Sequence, residues 1–293
     1  MKSFLSKILI LIAISSFTLL LIVAWMEAEI TQTSLESSPN DIDLLILGDS
    51  HAQNGINPEY LDKHSFNFAA SGENYFFCLQ KLKFLLDNRK KINCVILTLG
   101  SHNVNSKIDS LWVTNKDNLV SKTSSYFGMI SQNDFLEFAE YAGFNYTVYT
   151  SLFGQIPMGS INLLERKILL GKPPFLGGYT PNEKTLNIQT VSTVLPQQVP
   201  NYSNIQIRYL NQIIETCSSH NIPIVLLNIP TYKGENLNEE LFCKLKSPYS
   251  LLDMGTMFNE FPNYFADSNH LNPLGASVFT QALNDSLVNV LSK

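Results

Sequence analysis

The stretch LLILGDS, residues 44–50, decides the fold. Four aliphatic residues without polar alternation are typical of a strand buried on both faces in a parallel sheet. The glycine after them permits a tight turn where the strand ends. Similar apolar runs predict further strands at Phe66 to Ala70, Cys94 to Leu99, Ile222 to Asn228 and Tyr249 to Asp253.

Helical patterns lie between these predicted strands. Apolar residues recur at helical spacing from Tyr75 to Leu86 and from Ile207 to Cys217, and a last helix begins with Pro273 in its first turn. Strands that alternate with helices predict an α/β fold whose parallel sheet is covered on both faces. Ligands bind such sheets beyond the carboxyl ends of the strands, where this chain has Gly48 to Ser50, Ser71-Gly72 and Gly100 to Asn103.

The N-terminus carries an uncharged apolar run from Ile8 to Met26, preceded by Lys2 and Lys7. A run of this length crosses a bilayer core as a helix. It leaves through a bulky residue, Trp25, rather than a small-residue cleavage site, which favours an uncleaved anchor over a cleaved signal peptide. The lysines before the run predict a cytoplasmic N-terminus and an extracytoplasmic remainder of the chain.

We therefore divide the chain into three parts. Residues 1–26 form a cytoplasmic stub and transmembrane anchor, 27–40 a polar linker, and 41–293 one α/β domain. The alternation of strand and helix stops at about 104–200, which predicts an insertion with helices at 134–141 and 161–170. Its aromatic residues form either a substrate wall or a cap packed on the sheet edge.

Composition excludes some functions. The formal net charge is -5, and the longest basic run is Arg89-Lys90-Lys91, so no nucleic-acid partner is expected. No Cys/His cluster has metal-ligand spacing, so no metal site is expected. The four cysteines, Cys78, Cys94, Cys217 and Cys243, would permit two disulfides in an exported protein. We predict none, because three of them occupy apolar positions of predicted helices and strands.

A catalytic serine is suggested by Ser50, which follows a buried strand at a turn into a helix. Gly-Asp-Ser alone also makes an ordinary turn with a serine cap. Asp267 and His270, just before the last helix, supply the missing partners: on a helical turn, side chains three apart meet, and the carboxylate orients the imidazole. A serine hydroxyl needs such a base before it attacks an ester.

These blocks together resemble the SGNH/GDSL hydrolase superfamily. Gly48 to Ser50 is similar to its nucleophile block, Gly72 to its oxyanion glycine, Gly100 to Asn103 to its third block, and Asp267 with His270 to its final pair. The resemblance covers nearly all of the chain beyond the linker, except the insertion. It implies a three-layer α/β/α, flavodoxin-like fold, with Ser50, Asp267 and His270 as a triad and the amides of Ser50 and Gly72 as oxyanion donors.

The chain departs from the family pattern at two positions. His102 stands where the family has an oxyanion-donating Asn, and Asn103 follows it, so the third oxyanion donor is either His102 or Asn103. His102 is alternatively a second acid or base, or a loop histidine. His51 follows the nucleophile where Leu is common, which resembles members of the family that act on envelope polysaccharide.

Other polar and aromatic residues have simpler interpretations. His64 and His220 lie near predicted helix ends, where we expect structural roles. Asp253 is interpreted as a cap, and as the alternative orienting residue if Asp267 points away. Four aromatic residues precede the Asp267 pair and either line an acyl pocket or pack in the core: Phe258, Phe261, Tyr264 and Phe265.

The expected function is that of a serine-dependent acyl ester hydrolase acting on an O-acylated, in the first place O-acetylated, envelope or extracellular polysaccharide. The alternatives are an O-acyltransferase for the same polysaccharide and a non-catalytic SGNH-like partner in its modification. No cofactor is expected, because the protein supplies nucleophile, base and oxyanion donors. The expected partners are an acylated carbohydrate, the membrane through the N-terminal helix, and proteins of polysaccharide assembly.

Overall fold

Five strands form the central sheet of the structure, a computed structural model that describes residues 2–112, 115–143, 165, 169, 177–188 and 201–291. These strands are β2 (Leu44–Leu47), β3 (Ser65–Asn67), β5 (Val95–Thr98), β6 (Ile224–Asn228) and β7 (Ser250–Asp253). They are all parallel, in the order β3-β2-β5-β6-β7. Two short strands, β1 (Asp41–Ile42) and β4 (Lys91–Ile92), form a separate parallel pair. The predicted α/β class and parallel sheet are confirmed.

Strand β2 has the ends predicted for it, Leu44 and Leu47, whereas the strand predicted from Phe66 to Ala70 ends earlier, at Asn67. Strand β3 stops at Asn67, because the Asn67 side chain donates to the carbonyl oxygens of Ala52 and Ile56 (3.0 and 2.8 Å). Its side-chain oxygen accepts from the amide of Ala69 (3.0 Å). Beyond Asn67 the chain still bonds to the β2 side, since the amide of Phe68 donates to the carbonyl oxygen of Ile46 (2.8 Å), and it then enters the loop that carries Gly72.

Helices cover both faces of the sheet. On one face, α2 (Ser50–Gly55) contacts the last helix, α10 (Pro273–Leu291), above a core that includes Leu44, Ile46, Ile96 and Val225. The alternate strand residues, which point to the other face, are also buried: Leu45, Leu47, Val95 and Leu97. Helices α3 (Tyr75–Asp87) and α8 (Asn204–Ser219) pack against each other.

The remaining helices are short. They are α4 (Ser101–Val104), α5 (Lys107–Trp112), α6 (Lys116–Ser125), α7 (Gln132–Tyr141) and α9 (Glu239–Phe242), with 3-10 turns at Pro58–Tyr60, Phe127–Met129 and Pro262–Tyr264. The helix predicted at 134–141 is α7, which begins earlier because Ser131 caps it by accepting from the amide of Asp134 (3.1 Å). Most of the helix predicted at 161–170 lies outside the described residues.

The N-terminal helix, α1 (Lys2–Ser37), is long and apolar enough to span a membrane. It does not end at Met26 but continues through most of the segment that we expected to be a linker. Residues 27–37 contain neither glycine nor proline, and Gln32 donates to Glu36 one turn later (2.7 Å). Good helix formers and this side-chain bond explain why a polar segment stays helical.

The chain divides into two compact units, Met1–Ser37 with Val113–Phe175, and Ser38–Trp112 with Leu176–Lys293. In the first unit, the hydroxyl of Thr31 on α1 donates to the carbonyl oxygen of Gly128 (3.2 Å). The second unit contains the sheet and every residue of the predicted site. The domain boundaries expected from the sequence stay a prediction.

Candidate active site

Ser50 lies at the carboxyl edge of the sheet, at the start of α2 and directly after the turn that follows β2. Gly48 ends the strand with a φ of 147°, a conformation that favours glycine. Asp49 caps α2, since its carboxylate accepts from the amide of His51 (3.0 Å). Ser50 is then the first residue of the helix, and its own amide donates to no described residue.

The three residues predicted as a triad lie in one hydrogen-bonded chain. The Ser50 hydroxyl is 2.8 Å from Nε2 of His270. On the other side of the ring, Nδ1 of His270 is 2.9 and 3.0 Å from the two carboxylate oxygens of Asp267. This geometry suits a serine, a base and an orienting carboxylate.

The Asp267 loop is not the helical turn that the sequence suggested. Phe265 and Leu271 form an isolated antiparallel bridge, and the residues between them form a loop. Asp267 closes this loop by accepting from the amides of Asn269 (2.8 Å) and His270 (3.0 Å). An aspartate turn of this kind brings the carboxylate back to the imidazole without a helix.

The environment of Asp267 favours its charged form. Partial burial raises the pKa of its carboxyl. The amide of Asn269 and the charge and hydrogen bonds of His270 lower this pKa, and their combined effect is larger than that of burial. The pKa of Asp267 therefore lies below its usual value. A charged carboxylate at this place holds the proton of His270 on Nδ1 and leaves Nε2 free to accept from Ser50.

The loop that carries Gly72 is tied to the turn at Ser50. The amide of Ala70 donates to the carbonyl oxygen of Gly48 (3.2 Å), and Ser71 donates from its amide and its hydroxyl to Gln53 on α2 (2.8 Å each). The amide of Gly72, whose φ is 67°, donates to no described residue. Its role as an oxyanion donor, with that of Ser50, stays a prediction.

Asp49 is the centre of a second network beside the triad. It is buried, with 7% of its surface exposed. Nδ1 of His51 lies 3.1 Å from one carboxylate oxygen, and Nε2 of His102 and Nδ2 of Asn103 lie 2.9 and 2.8 Å from the other. Burial raises the pKa of Asp49, but the charges and hydrogen bonds of His51 and His102 hold it well below the usual value.

His51 lies between the two other histidines of the site. Its ring stacks on that of His102 at a centroid distance of 4.0 Å and is tilted against that of His270 at 5.0 Å. Burial is the main cause that lowers the pKa of His51, and neighbouring His102 lowers it further, while Asp49 raises it. His51 is therefore neutral at neutral pH.

The two candidates for the third oxyanion donor both bond to Asp49. Asn103 also accepts from the amide of Gly100 through its side-chain oxygen (2.8 Å), which closes the turn at the start of α4. One amide hydrogen of Asn103 is left for another acceptor. The side chain of His102 is 42% exposed, and its Nδ1 has no hydrogen-bond partner among the described residues.

Among the described residues, Asp49, His51 and His102 also have the composition of a metal site, with ligand atoms within 4.8 Å of one another. Two histidines that bind one ion must direct their lone pairs to a common point. The rings of His51 and His102 are instead stacked, and each uses its nearest nitrogen for a hydrogen bond to a carboxylate oxygen of Asp49. A hydrogen-bonded network around Asp49 fits this geometry better than a metal ion.

The alternative orienting residue and the two remaining histidines have structural partners. Asp253 accepts from the amide of Leu237 (2.7 Å) and from the side chain of Asn228 (2.8 Å). It therefore holds a loop at the end of β7 and is not a helix cap, since the cap of α9 is Asn238. His64 bonds to the carbonyl oxygen of Asp41, and His220 to that of Thr216.

The cysteines and aromatic residues divide by burial. Phe258 and Phe265 belong to the core, whereas Phe261 is 49% exposed. Cys78, Cys94 and Cys217 are buried, as predicted for small core residues, and Cys243 is exposed.

Sequence reasoning missed the network around Asp49. Three of the five histidines of the chain lie next to one another at this site: His51 and His102 bond to Asp49, and His270 bonds to Asp267. The positions of these histidines in the sequence could have revealed the network. Each of them follows a predicted strand or precedes the last helix, and so lies at the edge of the sheet where functional sites form.

No protein-family model matches the chain, and no curated protein matches it either.

Proposed function

We propose that this protein is a membrane-anchored serine esterase of the SGNH type, with the three-layer α/β/α fold of that superfamily. Its substrate would be an O-acylated, in the first place O-acetylated, polysaccharide of the cell envelope or the extracellular space. The observation that carries the proposal is the hydrogen-bonded chain from Ser50 through His270 to Asp267.

The proposed reaction uses these three residues in sequence. His270 takes the proton of Ser50 through Nε2 while the serine oxygen attacks the acyl carbon, and Asp267 stabilises the imidazolium that forms. His270 then gives the proton to the departing sugar oxygen, which leaves an acyl-serine. Water then attacks the acyl carbon while His270 takes one of its protons, and His270 returns that proton to the oxygen of Ser50 as the acid leaves. The amides of Ser50 and Gly72 would receive the negative charge of each tetrahedral intermediate.

The polysaccharide substrate follows from the anchor and from the family resemblance. Phe4, Leu9 and Leu20 on α1 are more than half exposed, as expected of a helix that faces lipid. A catalytic unit held outside the membrane meets surface glycans rather than soluble cytoplasmic esters. His51, in place of the common Leu, resembles envelope-polysaccharide members.

A sugar hydroxyl that replaces water would make the same site an O-acyltransferase. The residues are the same for both outcomes, so the acceptor distinguishes them. The test is release of acetate from p-nitrophenyl acetate with and without an oligosaccharide, with analysis for acetylated sugar. A non-catalytic partner protein would give neither product.

An activated serine is tested by reaction of the full-length chain in detergent with a fluorophosphonate probe. We expect the wild type to label, Ser50→Ala to give no label, and Asp267→Asn to label at least 100-fold more slowly, because the imidazole takes the wrong tautomer. Ser277→Ala, on α10, is the matched control. Equal labelling of Ser50→Ala and wild type, or none in either, would contradict the proposal.

The proposed topology is tested at Cys243, which is exposed while the three other cysteines are buried. A membrane-impermeant maleimide should label Cys243 in intact cells that lack an outer barrier to the reagent, and Cys243→Ser should remove the signal. Labelling only after the membrane is permeabilised would place the domain in the cytoplasm.

A further inference from the structure

A segment of the predicted insertion, residues 177–188, bonds to each of the three pieces of chain that carry the proposed site; we call it the strap. It belongs to the compact unit that contains the sheet. From residue 177 to residue 187 it forms neither helix nor strand, so its backbone groups need partners elsewhere. Three of its amides donate to carbonyl oxygens next to the site.

The first contact of the strap is with the chain just before Gly72. The amide of Gly178 donates to the carbonyl oxygen of Ala69 (3.2 Å). A Cβ on Gly177 would lie 2.8 Å from the carbonyl oxygen and 2.9 Å from the carbonyl carbon of Phe68. Backbone packs on backbone here, so the glycine at position 177 permits the close approach.

The second contact is with α2, the short helix of the proposed nucleophile. The amide of Thr180 donates to the carbonyl oxygen of Gln53 (3.0 Å), and Nδ2 of Asn54 donates to the carbonyl oxygen of Thr180 (2.7 Å). In a longer helix, the carbonyl oxygen of Gln53 would accept from the amide of Asn57. That amide donates to the hydroxyl of Thr280 instead (3.1 Å). The strap therefore supplies the donor that the end of α2 lacks.

The third contact is with the loop that carries Asp267 and His270. The amide of Leu186 donates to the carbonyl oxygen of Phe265 (2.9 Å), the residue at which this loop begins. The side chain of Leu186 is partly buried and packs against the core. One stretch of chain is thus bonded both to the helix of Ser50 and to the loop of His270.

The helix and the loop have little structure of their own to fix their positions. Helices shorter than about 12 residues are marginal in isolation, and α2 has six. The loop between residues 265 and 271 contains neither helix nor strand. Ser50 and His270 are 220 residues apart in the chain, so their 2.8 Å contact depends on what packs against each piece.

This contact has to be exact for the proposed reaction. A base accepts a proton directly only within hydrogen-bond reach, about 2.6–3.2 Å between heavy atoms. A misplacement of about 1 Å can slow an enzyme reaction about 100-fold. A segment that bonds to both pieces can therefore affect the rate although it supplies no group to the reaction.

We propose that the strap is a positioning element of the active site, which holds Ser50 within reach of His270 by bonding to α2 and to the Asp267 loop at once. This inference rests on the proposed esterase function and concerns the same site. Asn54, Thr180 and Leu186 are its positioning residues, since they act through the serine and the histidine.

The strap adds little apolar burial to the fold. Most of its residues are exposed, among them Thr180, Pro181 and Thr185. Burial of apolar surface is the main force that stabilises a folded chain. We therefore expect variants of the strap to fold and to lose rate rather than stability.

The test is the time course of fluorophosphonate labelling of the full-length chain in detergent. The second-order rate constant reports the geometry of the site, and the final amplitude reports the fraction of folded chains. Asn54→Ala should label about 5-fold more slowly with the amplitude of the wild type, because one hydrogen bond of the strap is lost. Adding Thr180→Pro, which removes the amide donor to Gln53, should slow labelling about 100-fold. Thr185→Ala, at an exposed residue of the strap, is the matched control and should keep the wild-type rate.

A variant without the base separates positioning from a general structural role. In His270→Ala the distance from Ser50 to the base no longer matters. Adding Asn54→Ala to it should therefore change the residual labelling rate by less than about 2-fold. A general loss of structure would slow labelling equally with and without His270.

The outcomes separate the strap from the esterase proposal. A wild-type rate in the double variant Asn54→Ala with Thr180→Pro overturns the role of the strap and leaves Ser50 as nucleophile. The same holds if Asn54→Ala slows labelling equally in the wild type and in His270→Ala. If the double variant does not fold, Asn54→Ala decides alone, since its hydrogen bond is exposed. No labelling of the wild type removes the esterase proposal as well.

Discussion

His51 shows at the residue scale how burial sets a protonation state. Its side chain is 10% exposed, contacts two other imidazoles and donates to Asp49. Burial lowers its pKa in the folded protein relative to the unfolded chain, where a histidine titrates near 6.5. The folded state therefore binds a proton at this residue less tightly than the unfolded state.

We expect this difference to make the protein less stable in mild acid. The stabilisation from neutral His51 is complete above the unfolded pKa, about 6.5, and is lost as pH falls towards the folded pKa. The thermal midpoint of the wild type should thus decrease from pH 7.5 to pH 5. His51→Leu, which cannot titrate, should show a smaller decrease, and His220→Leu the wild-type one. An unchanged slope in His51→Leu would assign the acid sensitivity to other groups.

At the scale of elements, one buried ion pair connects the loop after Gly72, helix α3 and the end of strand β3. Glu73 directly follows Gly72, and its carboxylate pairs with Lys81 on α3; both side chains are completely buried. Lys81 also donates to the carbonyl oxygen of Phe68, just beyond β3. The proposed oxyanion loop is therefore attached at once to the helix after it and to the strand before it.

Breaking this pair on one side should be costly. Lys81→Met removes the positive charge that pairs with the buried carboxylate of Glu73, and we expect it to lower the free energy of unfolding by about 3–5 kcal/mol. The double variant Glu73→Gln with Lys81→Met removes both charges and should be less destabilised than Lys81→Met alone. Urea unfolding monitored by fluorescence measures both. Equal losses in the single and double variants would show that the side-chain volumes matter rather than the charge.

At the scale of the whole molecule, α1 packs against other parts of the chain as well as being apolar enough to span a membrane. Its second part, residues 27–37, belongs to a compact unit with Val113–Phe175 and contacts the turn at Phe127–Met129. A Cβ on Gly128 would lie 2.6 Å from the hydroxyl of Thr31 and 2.9 Å from the carbonyl oxygen of Glu27. The close approach of helix and turn depends on this glycine.

Gly128→Ala should loosen α1 from this unit. Limited digestion with a glutamate-specific protease should then cut faster at Glu27, Glu29 and Glu36 than in the wild type, because local opening exposes the backbone. Gly143→Asn is the control, since no atom of the described residues lies within 4 Å of a Cβ there and Asn tolerates the positive φ. The same cutting rate in Gly128→Ala and wild type would contradict a packing role for this contact.

The central sheet and the three residues of the proposed triad could be predicted from the sequence, because short stretches of neighbouring residues indicate them. Four-residue apolar runs indicate buried strands wherever they occur, and Ser50, Asp267 and His270 stand in short motifs next to them. The ends of the elements were harder to predict from the sequence. Strand β3 stops at Asn67, whose side chain donates to carbonyl oxygens of residues more than ten positions away. Helix α1 continues to Ser37, through polar residues that the sequence analysis assigned to a linker.

What the sequence by itself determined is therefore the α/β class, the apolar N-terminal helix and the three residues, Ser50, Asp267 and His270, that lie in one hydrogen-bonded chain. Only the tertiary structure decided that Asp49, His51, His102 and Asn103 share one network. Asp49 follows β2 and His102 follows β5, and these meet because the two strands are neighbours in the sheet. Strand order depends on packing between segments far apart in the chain, which no local pattern of apolar residues records.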